Sequence, residues 1–586
     1  MRILSATTIF LMALCVSDGH PCFASGRVQD EARLRRPIAL QLDTGEQRLY
    51  VANQRSGSIS IVDLNQQKVV AEFDIAGRIS AMVSGGSGRL LVTDETRHEL
   101  LLLRCEGEQI QVEQRLPVSH SPVGIAVNQD YSRCTVTSLW SRRLTFVSLP
   151  SGEQTAAQVE NVLDLPFAPR CQLLVQQDRY LITADSFGGR LGIVNMQTRE
   201  LMFVREFPAH NIRGLRVSSD GKMLLIAHQM LNELAHTVRN DVHWGLLMSN
   251  DLRWLRLDAV LSQDANLYQD AHMHPLGHAG NATADPSGLA VVAGGRVVVS
   301  LGGVGEIALG KEQDFNLRRL AVGDRPTGLV ASRNGERLYV ANTFGDSVSI
   351  VDVEDHSKLA DVPLGPKAKL ALADRGEVLF YDGSLSHDGW MSCNSCHTDG
   401  HTNGLLNDNF SDASFGAAKR VLSLLGRADT APFAWDGGAA SLDAQVRKSI
   451  EKTMQSDRDA RDAHVTALVA YLETLETPPS IDSARGQTNR AGIERGRQVF
   501  AAQQCADCHT PPTYTSAETY DVGLEDKLGN QLFNPPSLRG VSQRGPYFHD
   551  GRAKRLEDVF RNFEHQLQSE LTEDELNDLL AFIRSR

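Results

Sequence analysis

The chain has 586 residues, with 72 Asp and Glu against 59 Lys and Arg, a formal net charge of −13. That length exceeds what one hydrophobic core holds and predicts two to four domains. The acidic balance excludes a nucleic-acid-binding surface, which needs a basic excess, and no apolar run beyond the first 24 residues reaches the ~18 needed for a membrane span.

Residues 1–24 read as a secretory signal peptide. Arg2 precedes an apolar run through Ile9 to Leu14, and a Cys22-Phe23-Ala24 end predicts cleavage before Ser25. This predicts export to the periplasm. Cys15 and Cys22 leave with that segment. Of the remaining cysteines, Cys105, Cys134 and Cys171 fall in the first half. Export permits a Cys134–Cys171 disulfide; small buried thiols are the alternative.

Residues 36–365 repeat. Arg48-Leu49-Tyr50-Val51-Ala52-Asn53 is followed by SGSISIVDL, and Arg337-Leu338-Tyr339-Val340-Ala341-Asn342 by GDSVSIVDV. The same outline starts at Arg89, Arg133, Tyr180, Lys222 and Arg296. The alternation is that of short strands, and most starts lie about 40 residues apart, a propeller-blade period. Seven starts predict an all-β seven-bladed propeller. The YVAN…IVD signature resembles the YVTN family of β-propellers. One gap, from Lys222 to Arg296, is about 30 residues longer than a blade needs. It holds His236, His243, His272, His274 and His278. Such an insertion covers a prosthetic-group edge, or binds a metal through His272 and His274, or is a long surface excursion. The propeller itself reads as a docking platform.

After Pro366 strand alternation stops and helical patterns begin. Cys393-Asn394-Ser395-Cys396-His397 recurs as Cys505-Ala506-Asp507-Cys508-His509. C-x-x-C-H is the attachment pattern of c-type haem. Two thiols bond the haem vinyl groups, and the next-door His supplies the proximal nitrogen to iron. A zinc site would need two further ligands at finger-like spacing, and none stands near either copy. The copies head superimposable segments. SLLGRADTAPFAWDGGAASLDAQV from Ser423 matches SLRGVSQRGPYFHDGRAKRLEDVF from Ser537 at an offset of 114 residues, against 112 for the motifs. Trp435 stands where His549 stands in the second copy. Helices are expected over 493–504, over 458–476, and after the Thr572-x-x-Glu575 capping box, with Leu571 stapled to Leu576. The predicted architecture is therefore a multidomain chain: the propeller, then a mainly α tandem cytochrome c-like pair over 366–480 and 481–586.

This second half resembles the bacterial di-haem cytochrome c peroxidase family, which includes the MauG-type enzymes. LFYDGSLSHDGWMSCNSCH, FAWDG…SLDAQ and PSLRG…PYFHDG…LEDV carry the resemblance. It implies two covalent haem c groups held by Cys393, Cys396, His397, Cys505, Cys508 and His509. It implies a peroxide-reactive first haem, a six-coordinate electron-transfer second haem, Trp435 as a bridge and Gln445 in the distal pocket. The departures are specific. The family's distal proline falls on Ser449. Its distal glutamate falls at 453–455, where no acid stands, and an acid–base group at the reactive iron serves peroxide cleavage. The family's axial Met falls on Phe563, leaving His565, or else His549, as the ligand of the second iron. His401 is a sixth ligand of the first haem or a loop histidine. The family's calcium is possible but unsupported, because Lys419-Arg420-Val421 replaces the expected Asn region. The expected function is a periplasmic oxidoreductase of the peroxidase or MauG kind, and the alternative is a non-catalytic electron carrier. Expected partners are a small redox protein (a cytochrome or cupredoxin) or a dehydrogenase.

Overall fold

A computed structural model describes residues 31–151, 154–410, 413–457 and 460–586; the expected signal peptide lies outside these. Among the described residues, seven four-stranded antiparallel sheets span Pro37–Leu42 to Ser357–Pro363. Each is a simple meander, and the first strands of successive sheets adjoin one another in a closed ring. This is a seven-bladed β-propeller. The seven repeat starts all fall at the second strand of a blade, as in Arg48–Asn53, Tyr180–Asp185 and Arg337–Asn342.

Ring closure needs no strand exchange, since each blade is contiguous in sequence. Leu40, Leu49 and Val51 of the first blade pack with Tyr339, Val348 and Ile350 of the last. The backbone N–H groups of Arg35 and Arg36 donate to Asp346 Oδ1 at 3.1 and 2.6 Å. The buried Arg35 guanidinium meets Glu72 at 3.0 Å. A charge removed from water is tolerated only when so paired.

The extra length near Lys222 falls within the fifth blade. It forms a short helix, Arg239–His243, between two long strands, Met223–Leu231 and Met248–Arg256, and a further excursion before His272–Pro275. Cys134 is buried within a strand, and the Cys171 thiol donates to the Arg213 carbonyl at 3.0 Å. Both are free thiols, so the disulfide alternative does not form.

Two equivalent helical units follow. In the first, Leu372–Phe380 crosses Asp462–Leu472; in the second, Arg490–Ala502 crosses Glu573–Arg584. Both crossings run over a glycine. A Cβ on Gly376 would lie 1.9 Å from the Ala467 carbonyl oxygen, and one on Gly496 would lie 1.9 Å from that of Asp578. Only a residue without a side chain lets the backbones approach so closely. The β-bridges Phe433–Ala439 and Tyr547–Ala553 repeat at the same 114-residue offset as the sequence. The final capping box forms: Glu575 N–H donates to Thr572 Oγ1 at 3.3 Å, and Thr572 N–H to Glu575 Oε2 at 2.9 Å. Among the described residues no helix is long and apolar enough to cross a membrane.

Overpacking such a crossing costs about 1–3 kcal/mol. Gly496→Ala should therefore lower the thermal midpoint of the second unit. Gly45→Ala, whose nearest atom stands 3.9 Å away, should leave it nearly unchanged in the same calorimetric scan.

Candidate haem-binding site

The first C-x-x-C-H motif forms a one-turn helix, Cys393–Cys396, pressed onto the propeller. Its two intervening residues, Asn394 and Ser395, are fully buried. Asp285, at the start of an inner strand of the sixth blade, accepts from Ser392 Oγ at 2.6 Å and from Ser395 Oγ at 2.9 Å. Gln229 donates to Ser395 Oγ at 3.1 Å, and His210 Nε2 donates to the Ser395 carbonyl at 2.8 Å. Two residues past the motif, Asp399 pairs with Arg170 at 2.6 Å and Arg213 at 2.9 Å. Asp285, Arg36 and Arg325 each precede a proline that opens an inner strand, and each has positive φ. Arg36 pairs with Glu377, and Arg325 stacks over Tyr381. At these three positions a residue of positive φ stands where a blade meets the helical unit. The propeller face read as a platform for an outside partner is the seat of the chain's own first motif.

Beside this motif lies a cavity lined by Cys393, Cys396, His397, Trp435, Gln445 and Leu468, among others. His397 Nδ1 donates to the Leu422 carbonyl at 2.8 Å, which fixes the tautomer and leaves Nε2 unprotonated. Burial lowers the His397 pKa to about 4, keeping the ring neutral and able to ligate. The walls carry Arg420, Arg427 and Arg544, all buried. None has a carboxylate partner within ion-pair distance among the described residues; they donate to main-chain carbonyls or to Ser537, and Arg544 Nε has no partner. Burial lowers all three pKa values, that of Arg420 to about 10. Buried cations without counter-charge are costly, and the two propionates of a haem would offset two of these three charges. The thiol pair, the neutral imidazole and the waiting guanidinium groups together fit a covalent haem.

The far wall comes from the helix Leu442–Lys448 and the wide turn Ser449–Thr453. Gln445 Nε2 donates to Ser449 Oγ at 3.2 Å, while its Oε1 is buried without a partner. Thr453 and Met454 complete the wall. Gln455, at the end of the 453–455 stretch where the family's acid falls, donates its amide to the Thr237 carbonyl of the propeller insertion at 2.7 Å. Glu451 pairs with Arg447 at 3.9 Å and does not line the cavity. The insertion therefore grips the distal turn. His236 also meets Asp408 at 3.2 Å. Of the two candidate metal ligands, His272 stacks on Trp254 and His274 lies tilted against it, and among the described residues neither joins a metal-ligand cluster. His401 has both nitrogens committed, to Ser423 Oγ at 3.0 Å and the Gln543 carbonyl at 3.1 Å, and so links the units as a buried loop residue.

The second motif is open by contrast. Cys505 and Cys508 are half-buried and Asp507 is exposed. His509 Nδ1 donates to the Tyr514 carbonyl at 3.1 Å, again leaving Nε2 free. Burial, helped by the nearby His565, lowers its pKa to about 4. His565 is within electrostatic reach of His509, packs on Phe548 at 5.4 Å, and makes no side-chain hydrogen bond among the described residues. Phe563, also against Phe548, offers no ligand atom. His549 lies elsewhere, stacked on Phe533 at 4.4 Å. Trp435 joins the units. Its Nε1 donates to the Arg420 carbonyl at 2.8 Å, Asn534 of the second unit donates to its carbonyl, and its ring stands 6.4 Å from His549. Lys419 pairs with Asp526 at 3.0 Å, placing a cation where the family's calcium would be expected.

Residues 369–481 match the di-haem cytochrome c peroxidase family, and residues 493–586 match cytochrome c. The methylamine utilization protein MauG of Methylorubrum extorquens is 31% identical over 291 residues, covering 38% of this chain and 79% of that protein. The chain belongs to the di-haem cytochrome c peroxidase and MauG family. A cytochrome c551 peroxidase of Nitrosomonas europaea is 27% identical over 266 residues, 36% of this chain and 79% of that protein. A chain of Kuenenia stuttgartiensis hydrazine synthase superposes with a TM-score of 0.48 at 16% identity, over 56% of this chain and 99% of that one. In this family member the helical pair is preceded by the propeller that seats its first haem-binding motif.

The seat makes a pH prediction. Burial opposes the Asp399 charge, but Arg213 and Arg170 outweigh it and hold the carboxyl well below the usual range. A depressed folded-state pKa contributes stability that is present above the unfolded value of about 3.9 and is lost as pH falls below it. Asp399→Asn should remove about 1–3 kcal/mol at neutral pH, since it leaves two guanidinium groups without their counter-charge. It should also flatten the acid limb of the denaturation midpoint plotted against pH.

Proposed function

We propose that the protein is a periplasmic oxidoreductase of the peroxidase or MauG kind, with two covalent haems between which electrons pass. The observation that carries this reading is the unequal far side of the two motifs. His565 lies within electrostatic reach of His509, whereas the cavity at His397 has no second imidazole among the described lining residues. The first site is thereby left as the reactive one and the second as the relay. Haem supplies one-electron chemistry when bound; bis-His ligation would set the relay at a lower potential than His/Met ligation. The exposed second motif receives electrons from a small redox protein or a dehydrogenase. Trp435, hydrogen-bonded to both units, bridges to the closed cavity. With hydrogen peroxide as oxidant, two electrons and two protons yield two waters. Gln445 and Ser449 can hold the oxidant by hydrogen bonds. Neither transfers a proton well, and Gln455 supplies no acid. Export rests on the apolar segment 1–24.

The missing acid favours a second reading, a non-catalytic electron carrier. In that case Met454, whose side chain borders the cavity, or another group closes the first iron.

Low-temperature EPR of the ferric protein separates the two. One high-spin and one low-spin signal are expected, with peroxide turnover in a steady-state assay. Two low-spin signals and no turnover would favour the carrier. His565→Ala should convert the low-spin signal to high-spin and leave the other unchanged. Trp435→Phe should slow turnover at least tenfold, a barrier increase of about 1.4 kcal/mol, without altering either signal.

A further inference from the structure

A second cluster of ligand atoms lies away from the haem cavities, where the propeller insertion meets the loop before the first motif. His243 ends the insertion helix Arg239–His243. His387 and Asp388 stand shortly before Trp390 and the C-x-x-C-H turn. His243 Nδ1 is 2.7 Å from Asp388 Oδ2 and 3.2 Å from His387 Nε2, and His387 Nε2 is 3.4 Å from the same Asp388 oxygen. Nitrogen and oxygen ligands about 2.0–2.1 Å from a tetrahedral metal stand about 3.3 Å apart. Two of the three separations match that spacing; the third, 2.7 Å, is a hydrogen bond that opens by about 0.6 Å when an ion takes the place of its proton.

Tautomer control points the same way. His387 Nδ1 donates to both oxygens of Asp457 at 3.0 Å. Its Nε2 is therefore a lone pair aimed into the cluster. A carboxylate behind a histidine is the usual outer support of a metal ligand. Asp457 is held in turn by Arg239 of the insertion. Asp388 adopts φ +56, a conformation costly for a non-glycine residue, and Gly280 N–H donates to its Oδ2 at 3.1 Å. His387 is nearly buried, Asp388 largely so, and His243 about one-third exposed. The site is therefore reachable from solvent on one side. The backbones are already joined there: Trp390 Nε1 donates to the His243 carbonyl at 3.0 Å, and a Cβ on Gly245 would meet the Trp390 ring at 2.5 Å.

We propose that His243, His387 and Asp388 bind a divalent first-row transition-metal ion of the zinc type, with water as the fourth ligand. The ion would staple the insertion to the segment that leads into the first motif. Through Asp457 it would also steady the chain just past Met454 in the far wall of the haem cavity. The family's calcium, possible but unsupported in this sequence, belongs between the two haem units and would take other residues. Two nitrogens and one carboxylate suit zinc rather than calcium.

The test is metal analysis of the purified haem-loaded chain, stripped with chelator, equilibrated with zinc alone and desalted. One zinc per chain is expected for the wild type, with a higher melting temperature in zinc. His243→Ala and Asp388→Asn should each lose it while iron content stays unchanged. Asp457→Asn should weaken zinc affinity about 10–100-fold, and the double variant His272→Ala, His274→Ala should retain the metal. Asp388→Asn keeps the shape of the side chain and serves as the arbiter if His243→Ala misfolds. Equal zinc in the wild type and Asp388→Asn, whether full or nil, overturns the proposal.

Discussion

The structure turns on one buried carboxylate. Asp285 accepts hydroxyl hydrogen bonds from Ser392 and Ser395, so the turn that carries the first pair of thiols is held by the propeller rather than by its own helical unit alone. Charge-assisted bonds of this kind are about twice as strong as neutral ones. Here they are sealed from water: Asp285, Ser392 and Ser395 are all buried. The Asp399 ion pairs and the His210 contact surround the same turn. The first motif is consequently closed off, and the second, which has no propeller seat, stays open.

That difference breaks a near-perfect internal repeat. The two units share helix crossings over glycine, β-bridges and proximal histidines tied to carbonyls. Their far sides diverge. A duplicated unit whose two motifs differ in burial can separate chemistry from electron entry, because burial strengthens electrostatic interactions while an exposed edge can meet a partner. The three buried guanidinium groups in the first cavity belong to this division. They come from both units, Arg420 and Arg427 from the first and Arg544 from the second, so the first site is complete only when the pair is assembled.

The propeller insertion adds a second level of control. It reaches Gln455, Asp457, Asp408 and Trp390, all in the first helical unit. The turn that walls the haem cavity is thus positioned from outside the cytochrome fold. Gln455 spends its amide on that contact.

Much of this was legible in the chain. A recurring apolar run at a blade period located the second strand of all seven blades, because that strand is buried on both faces in every blade. The C-x-x-C-H spacing, the 114-residue offset, the Thr572 capping box and the pairing of Trp435 with His549 are local patterns whose chemistry depends on neighbours in sequence. The grip of Asp285 on the first motif and the His243, His387 and Asp388 cluster were not visible. Each joins residues more than a hundred positions apart, and a lone Asp or His carries no periodic signal. His272 and His274 drew attention by lying close in sequence, yet strand geometry sets them beside a tryptophan. Sequence determined the elements, the haem-attachment chemistry and the duplication. Only the tertiary structure decided that the propeller face is occupied from within, which motif is buried, and which histidines meet, because those depend on where distant segments come to rest.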